Sequence, residues 1–381
     1  MRILKIVNSK DSGGVFNCER QFIKEFQKQG VHVDLVILGE GDNKHKYISF
    51  VGKENTICIS EIDSYKSGSI YNRVIDVFSS RKEGKQRKIS VIDYFKNNSY
   101  EAVIFRRQYY NFMANEIGKY FKVPVYWHIP GVIKSKFLKA IYTILLKYLK
   151  IIPVANSKYT QSTLGSICKY VVYPGFDEQR TSSLKDERTF RNKYGIPNDA
   201  CVFGVAARIY PGKAQHLVID SFLNSNINEN NYLIIAGKIV DKNYWDSITS
   251  KYEQSFNKNI IYIGEIDNVK DFYASIDVLI NGGQEAEAFG ISVAEGIGSS
   301  KPVMAYGLGG PLEMIDHGVN GWIVKNPTIE DYIDTFRQSN KPILELQKMG
   351  EKSKEKSREF TVENNVQRFI KIIQNEYSKH K

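Results

Sequence analysis

Two carboxylates and two cations in the second half of the chain are spaced to handle an anionic ligand. Glu287 precedes a segment with helical apolar spacing, Ile291 to Ile297, and Glu295 lies inside it, eight positions further on. That interval places the second carboxylate about two turns along, on roughly the same side as the first. The helix would begin near Phe289, Gly290 and Ile291, so its free backbone N–H groups and positive dipole end face whatever anion sits above the strand ends. Upstream, Arg208-Ile-Tyr-Pro-Gly-Lys213 follows an apolar strand. A guanidinium there can grip phosphate oxygens in pairs, and an ammonium adds a mobile point charge, which suits a diphosphate leaving group. A second glycine cluster, Gly307, Gly309 and Gly310, follows the strand Lys301 to Ala305 and precedes a helix at Pro311 to Ile315, so two Gly-rich turns face one crevice.

Alternating strands and helices must position these groups. Ile3 to Val7 reads as a strand, Asn8 to Gly14 as a polar turn, Val15 to Gln29 as a helix ended by Gly30, and Val31 to Leu38 as a second strand. In this βαβ opening Gly13 and Gly14 let a phosphate approach the helix start, but a full G-x-G-x-x-G is missing and a nicotinamide site is poorly supported. Gly39 to Tyr100 reads as short mixed segments, with a solvated basic loop at Arg81, Lys82, Lys85, Arg87 and Lys88. Strands follow at Glu101 to Phe105 and Val123 to Trp127. The latter ends at His128, where open α/β sheets place their ligands. Beyond Pro174 and Gly175 the alternation restarts with Cys201 to Ala207, Ala214 to Leu223, Asn231 to Ala236, Asn259 to Ile263, Val269 to Ser275 and Asp277 to Ile280. A chain of 381 residues exceeds the usual size of one core, which also argues for two domains.

Glu287-Ala-Phe-Gly-Ile-Ser-Val-Ala-Glu295, then Lys301-Pro-Val, Gly309-Gly-Pro-Leu-Glu313 and Gly318-Val-Asn-Gly321, together resemble the donor-site signature of the retaining family 4 glycosyltransferases. The resemblance implies an α/β chain of the GT-B fold, with two doubly wound Rossmann-like domains facing a central cleft. It implies an acceptor-side domain at residues 1–174, a nucleotide-sugar donor domain at 175–360, and a C-terminal helix at 361–381 that packs back on the first domain. Arg208 and Lys213 match the family's cation pair in type and order, and His128 matches its first-domain histidine near the donor sugar. By the same resemblance Gly13 and Gly14 face the diphosphate, Glu295 binds the ribose hydroxyls, Glu287 the donor sugar, and backbone near Ile266 the base. Configuration would be retained, with no protein nucleophile assigned. The stretch Arg106-Arg107-Gln108-Tyr109-Tyr110 departs from the small polar residues of relatives.

The expected activity is metal-independent transfer of a sugar from a UDP- or GDP-linked donor to a glycan or lipid-linked acceptor, in surface polysaccharide or glycolipid assembly. The donor is a substrate and no cofactor is expected. No Asp-x-Asp occurs, so protein cations would replace a metal ion, and the four cysteines form no metal or disulfide pattern. Met1 to Phe176 holds 28 Lys and Arg against 14 Asp and Glu, whereas the remainder holds 25 against 28. Such a basic half attracts nucleic acid, an anionic membrane or phosphorylated substrates. Val132 to Lys150 carries five lysines and no acid. On a helical projection Phe137, Ile141, Ile144, Leu145 and Tyr148 cluster opposite Lys136, Lys139, Lys147 and Lys150. Either the lysines are a solvated face of a core-packed helix, or they meet an acceptor or anionic headgroups. No apolar run reaches the ~18 residues that span a bilayer, and MRILKIV begins as a strand, so a cytoplasmic location is expected, with peripheral attachment at the inner membrane face if the lysines meet lipid. Two rivals stay open. A GT-B-type nucleotide-sugar epimerase or hydrolase would share the diphosphate site, and a basic nucleic-acid-binding protein would leave the Gly/Glu series unexplained.

Overall fold

The structure is a computed structural model that describes residues 1–11, 13–60, 70–181, 187–227, 230–256, 258–266 and 268–380, without the side chains of 70–80, 83 and 187–189. It divides into two compact units, Met1–Gly175 with Val362–Lys381, and Phe176–Thr361. In the first unit the order is β1 (Arg2–Asn8), α1 (Gly13–Lys28), β2 (His32–Leu38), α2 (Lys44–Val51), β3 (Thr56–Ile59), α3 (Ile70–Phe95), β4 (Ala102–Phe105), α4 (Asn111–Phe121), β5 (Val125–Ile129), α5 (Lys136–Leu149), β6 (Ile151–Ala155), α6 (Lys158–Leu164) and β7 (Tyr170–Val171). The second unit runs α7 (Glu178–Thr181), α8 (Glu187–Lys193), β8 (Cys201–Ala206), α9 (Gln215–Asn224), β9 (Asn231–Ala236), α10 (Lys242–Lys251), β10 (Ile260–Tyr262), α11 (Val269–Ser275), β11 (Val278–Asn281), α12 (Ile291–Gly298), β12 (Val303–Tyr306), β13 (Gly321–Val324), α13 (Ile329–Ser339) and α14 (Ile343–Ser357). The last helix, α15 (Val362–His380), belongs to the first unit.

Both sheets are parallel, ordered β3-β2-β1-β4-β5-β6-β7 and β10-β9-β8-β11-β12-β13 among the described residues. Helices cover both faces, which is why the strands read as near-continuous apolar runs rather than as alternation. Along β1, Leu4 and Ile6 enter one core and Ile3 and Val7 the other. The strand order reverses between β1 and β4 in the first sheet and between β8 and β11 in the second. Ligands of open α/β sheets bind beyond the carboxyl ends of such strands, so the loops after β8 and β11 are the ones to inspect. This doubly wound pair is the expected fold class.

Three stretches differ from the sequence reading. The basic run at 81–88 lies on the 26-residue helix α3 and not in a loop. Val91 and Phe95 anchor that helix, Lys88 pairs with Glu116 at 2.6 Å, and a Cβ on Gly84 would stand 3.0 Å from the Met113 nitrogen, so α3 and α4 touch closely there. Arg81, Lys82 and Lys85 are exposed on its outer side. β5 continues through Ile129, pairing His128 with Val154, so His128 is inside the strand. On α5 the buried face is Leu138, Tyr142, Leu145, Leu146 and Leu149, while Phe137, Ile144 and Tyr148 are exposed.

The end of the chain completes the first core. On α15, Val366, Phe369 and Ile373 are buried with Phe22, Phe26 and Tyr126, the Phe369 ring lying 6.1 Å from that of Phe26 and 5.7 Å from that of Tyr126. The Tyr173 N–H donates to Asn365 Oδ1 at 3.0 Å, and Tyr170 OH to Glu376 Oε1 at 2.7 Å.

Candidate functional site

The second unit carries a cavity of about 320 Å³ at the reversal between β8 and β11, lined in part by Tyr210, Lys213, Glu287, Tyr306 and Pro311. Lys213 ends a short 3-10 turn, Pro211–Lys213, held by Ala214 in a left-handed conformation before α9. The loop after β11 passes close to this turn. A Cβ on Gly282 would stand 2.9 Å from the Lys213 carbonyl oxygen, a contact that glycine avoids.

Glu287 is delivered by backbone pairing. Its N–H donates to the Leu308 carbonyl at 3.3 Å, and the Glu287 carbonyl accepts from the Gly310 N–H at 2.8 Å. The two Gly-rich turns therefore join as a parallel bridge between Glu287 and Gly309. Gly309 has φ +109°, and any Cβ there would press into the Glu287 carbonyl. So placed, Glu287 faces Lys213, whose Nζ lies 3.3 Å from both carboxylate oxygens. A cation and a carboxylate thus share one cavity wall, the arrangement needed to meet an anion beside a hydroxyl-rich group.

Glu295 does not line this cavity. It is 8% exposed, in the second turn of α12, where Tyr273 OH of α11 donates to Oε2 at 3.1 Å and Arg180 of α7 lies 4.0 Å from Oε1. Burial pushes its carboxyl pKa up, and the Arg180 guanidinium counters that shift. Phe289 is buried, its ring 6.2 Å from that of Phe360, and Gly290 caps α12 at φ +95°. Ile291 is half-buried at the first helical position, and Ile266 is half-buried in the loop between β10 and α11. Arg208 is exposed, with its guanidinium 5.6 Å from the ring centroid of Tyr210. Of the two expected cations, Lys213 reaches the cavity wall, and Arg208 adjoins it through Tyr210.

In the first unit, α1 starts at Gly13, which has φ +56° and open space around it, and Gly14 is exposed beside it. His128 is placed otherwise than its strand-end reading suggests. The alternation of β5 turns it, with Tyr126, into the core shared with α15. It is 1% exposed, its ring lies 5.4 Å from Phe22 and 5.7 Å from Phe369, and Nε2 is 2.8 Å from the Val172 carbonyl. Burial, reinforced by Arg106, drives its pKa well below the ordinary imidazole value, so the ring is neutral at physiological pH. The opposite face of β5 turns Trp127 and Ile129 into a second cavity of about 440 Å³, completed in part by Gln108, Lys134, Leu138 and Tyr142. Lys136 and Lys147 on α5 and Lys150 just after it are exposed, and Lys139 is half-buried beside Gly165.

Sequence reasoning missed several of these partners. Arg180 and Tyr273 enter only through tertiary packing around Glu295. Arg107 pairs with the buried Asp11, its Nε 2.9 Å from Oδ1, and so ties the end of β4 to the loop after β1. The two adjacent arginines at 106 and 107 were the signal. Arg106 itself is buried against Cys18 and Glu19. Among the described residues no group of three or more His, Cys, Asp or Glu is gathered as a metal site would require.

Comparison with known proteins fits this geometry. Residues 186–359 match the family model for glycosyl transferases group 1. The chain is 24% identical over 179 residues to the O-antigen biosynthesis glycosyltransferase WclY of Escherichia coli, which covers 47% of this chain and 48% of that protein, so the likeness spans about half of either. It is 23% identical over 309 residues to the alpha-1,3/1,6-mannosyltransferase ALG2 of Dictyostelium discoideum, covering 70% of this chain and 73% of that one. The crystal structure of Anabaena Alr3699/HepE in complex with UDP superposes with a TM-score of 0.79 at 17% identity, over 98% of this chain and all of the other. The chain thus has the two-domain GT-B fold, and residues 186–359 of its second unit are similar to glycosyl transferases group 1.

Proposed function

We propose that the protein is a retaining glycosyltransferase that moves a sugar from a nucleoside-diphosphate sugar to a glycan or lipid-linked acceptor. The observation that carries this reading is the Lys213–Glu287 pair on the wall of the second unit's cavity, inside the stretch that matches the group 1 model. As the bond to the leaving diphosphate breaks, negative charge grows on the phosphate oxygens and positive charge on the anomeric carbon. A preorganised cation aimed at the leaving group lowers that barrier without reorganising. Lys213 fills this role, with Arg208 as the outer cation. A diphosphate that draws Lys213 away from Glu287 frees the carboxylate to accept hydroxyls of the donor sugar. Glu295 and the first turn of α12 take the ribose and phosphate end, and the loop at Ile266 takes the base.

UDP is the first donor nucleotide to test, because the superposed Anabaena protein was solved with UDP. Protein cations do the work of a metal ion, a reading supported by the absence of any Asp-x-Asp. The first unit takes the acceptor, with the cavity between Trp127 and α5 as its candidate subsite. Incubation with UDP- and GDP-sugars, with and without oligosaccharide or lipid-phosphate acceptors, tests the reading by mass spectrometry of products. Acceptor-dependent sugar transfer, reduced about 100-fold or more in Lys213→Ala and Glu287→Gln, is expected. Isomerised or hydrolysed sugar at a rate indifferent to acceptor would instead make the protein an epimerase or a hydrolase.

A further inference from the structure

Helix α5 presents two apolar faces, and among the described residues only one of them is packed against the fold. Leu138, Tyr142, Leu145, Leu146 and Leu149 are buried against the first unit. At about 100° per residue, Phe137, Ile141, Ile144 and Tyr148 fall within roughly 60° of the helix circumference. This second stripe points outward, with Phe137 60%, Ile144 70% and Tyr148 71% exposed. Large exposed side chains scattered singly need no explanation, but an ordered row along three turns of one helix does. Lys136 and Lys147 flank the row, and Lys139 and Lys150 follow beyond them. The segment Val132 to Lys150 contains no acidic residue.

We propose that α5 seats the first unit on an anionic lipid surface, with the Phe137–Tyr148 row at the headgroup–acyl boundary and the lysines at the headgroup level. A tyrosine with an apolar body and a polar tip suits that boundary, and lysine stems can lie along the apolar edge while their ammonium groups reach phosphate. Charge complementarity selects this occupant over a second copy of the chain. Two identical rows packed face to face would bring the same lysine flanks together, whereas an anionic bilayer neutralises them. Among the described residues no helix is long and apolar enough to cross a membrane, so the contact is one of lying on the surface. The helix that carries the row also supplies Leu138 and Tyr142 to the first unit's cavity, so seating would bring that cavity to the lipid surface.

The inference stands on α5 alone and does not require the donor reading. Its test is co-sedimentation of the full chain with vesicles of phosphatidylcholine, and of phosphatidylcholine mixed with phosphatidylglycerol. Binding to the mixed vesicles should be at least about tenfold stronger, and should fall as salt is raised. The exposed positions allow a variant with Phe137→Ser, Ile144→Ser and Tyr148→Ser to fold, as its melting temperature would confirm. It should lose binding to both vesicles by about tenfold or more. Lys136→Glu with Lys147→Glu should abolish the preference for phosphatidylglycerol and keep the melting response to nucleotides. Equal binding to both vesicles, no binding, or unchanged binding by the triple-serine variant would overturn the proposal. So would a concentration-dependent dimer that the triple-serine variant dissolves while the native chain ignores vesicles.

Discussion

At the scale of residues, the account turns on two glutamates in different surroundings. Glu287 is half-exposed and paired with Lys213, while Glu295 is buried beside Tyr273 and Arg180. Burial raises the Glu295 carboxyl pKa above its ordinary 4.5, so its charge is lost at a higher pH than that of an exposed glutamate. Two measurements follow from this sign. Nucleotide affinity, followed by calorimetry from neutral to mildly acidic pH, should weaken as Glu295 takes up its proton, and Arg180→Ala should move that loss toward neutrality. A carboxylate whose folded pKa is raised is stabilising in its protonated form and opposes folding once ionised. Glu295→Gln should therefore melt at or above the native protein at pH 7, converge with it in acid, and still bind nucleotide less tightly. Lower melting of that variant at neutral pH would show that Arg180 overcompensates the burial. Both glutamates were visible in the sequence because their spacing and flanking glycines are local. Arg180 and Tyr273 were not, since nothing in their own neighbourhoods marks them. His128 was legible as a strand residue, but whether it faced ligand or core depended on how far β5 continued.

At the scale of elements, the turns that bring Glu287 to Lys213 depend on glycines that no other residue can replace. Gly309→Ala would force both a positive φ and a Cβ pressed on the Glu287 carbonyl. A loss of about 2–3 kcal/mol in urea unfolding is expected, with nucleotide binding weakened further because the bridge that sets Glu287 is disturbed. Unchanged stability would mean that the bridge between the two turns does not exist in solution. The central strands of both sheets could be read from apolar runs, turn glycines and periodicity, whereas the short strands β3, β7 and β13 and the helices α10, α13 and α14 were not read. α3 escaped that reading because its charged run at 81–88 interrupts the apolar pattern, although Val91 and Phe95 beyond it are buried. On α5 the apolar spacing was correctly seen as helical, yet it pointed to the exposed row, and the buried face lies about a quarter-turn away.

At the scale of the whole molecule, the chain leaves its first unit at Gly175 and re-enters it at Val362. Phe369 on α15 fills space among Phe26, Tyr126 and His128. Phe369→Ala should lower stability by about 3–5 kcal/mol in denaturant unfolding. The loss should fall on the first unit, leaving tryptophan signals of the second, from Trp245 and Trp322, less affected. Equal loss in both units would mean that they unfold as one. The basic balance of Met1 to Phe176 gives that part of the chain a field that attracts anions, and the remainder is slightly acidic. The most direct measurement is the melting response of the purified chain to a panel of nucleoside diphosphates and nucleotide sugars, with Lys213→Ala and Glu295→Ala alongside. One base should stabilise selectively, by about 2.7 kcal/mol at 100 times its Kd, and both variants should lose the response at that concentration. No response to any nucleotide in folded protein, or an equal response in both variants, would contradict the donor site.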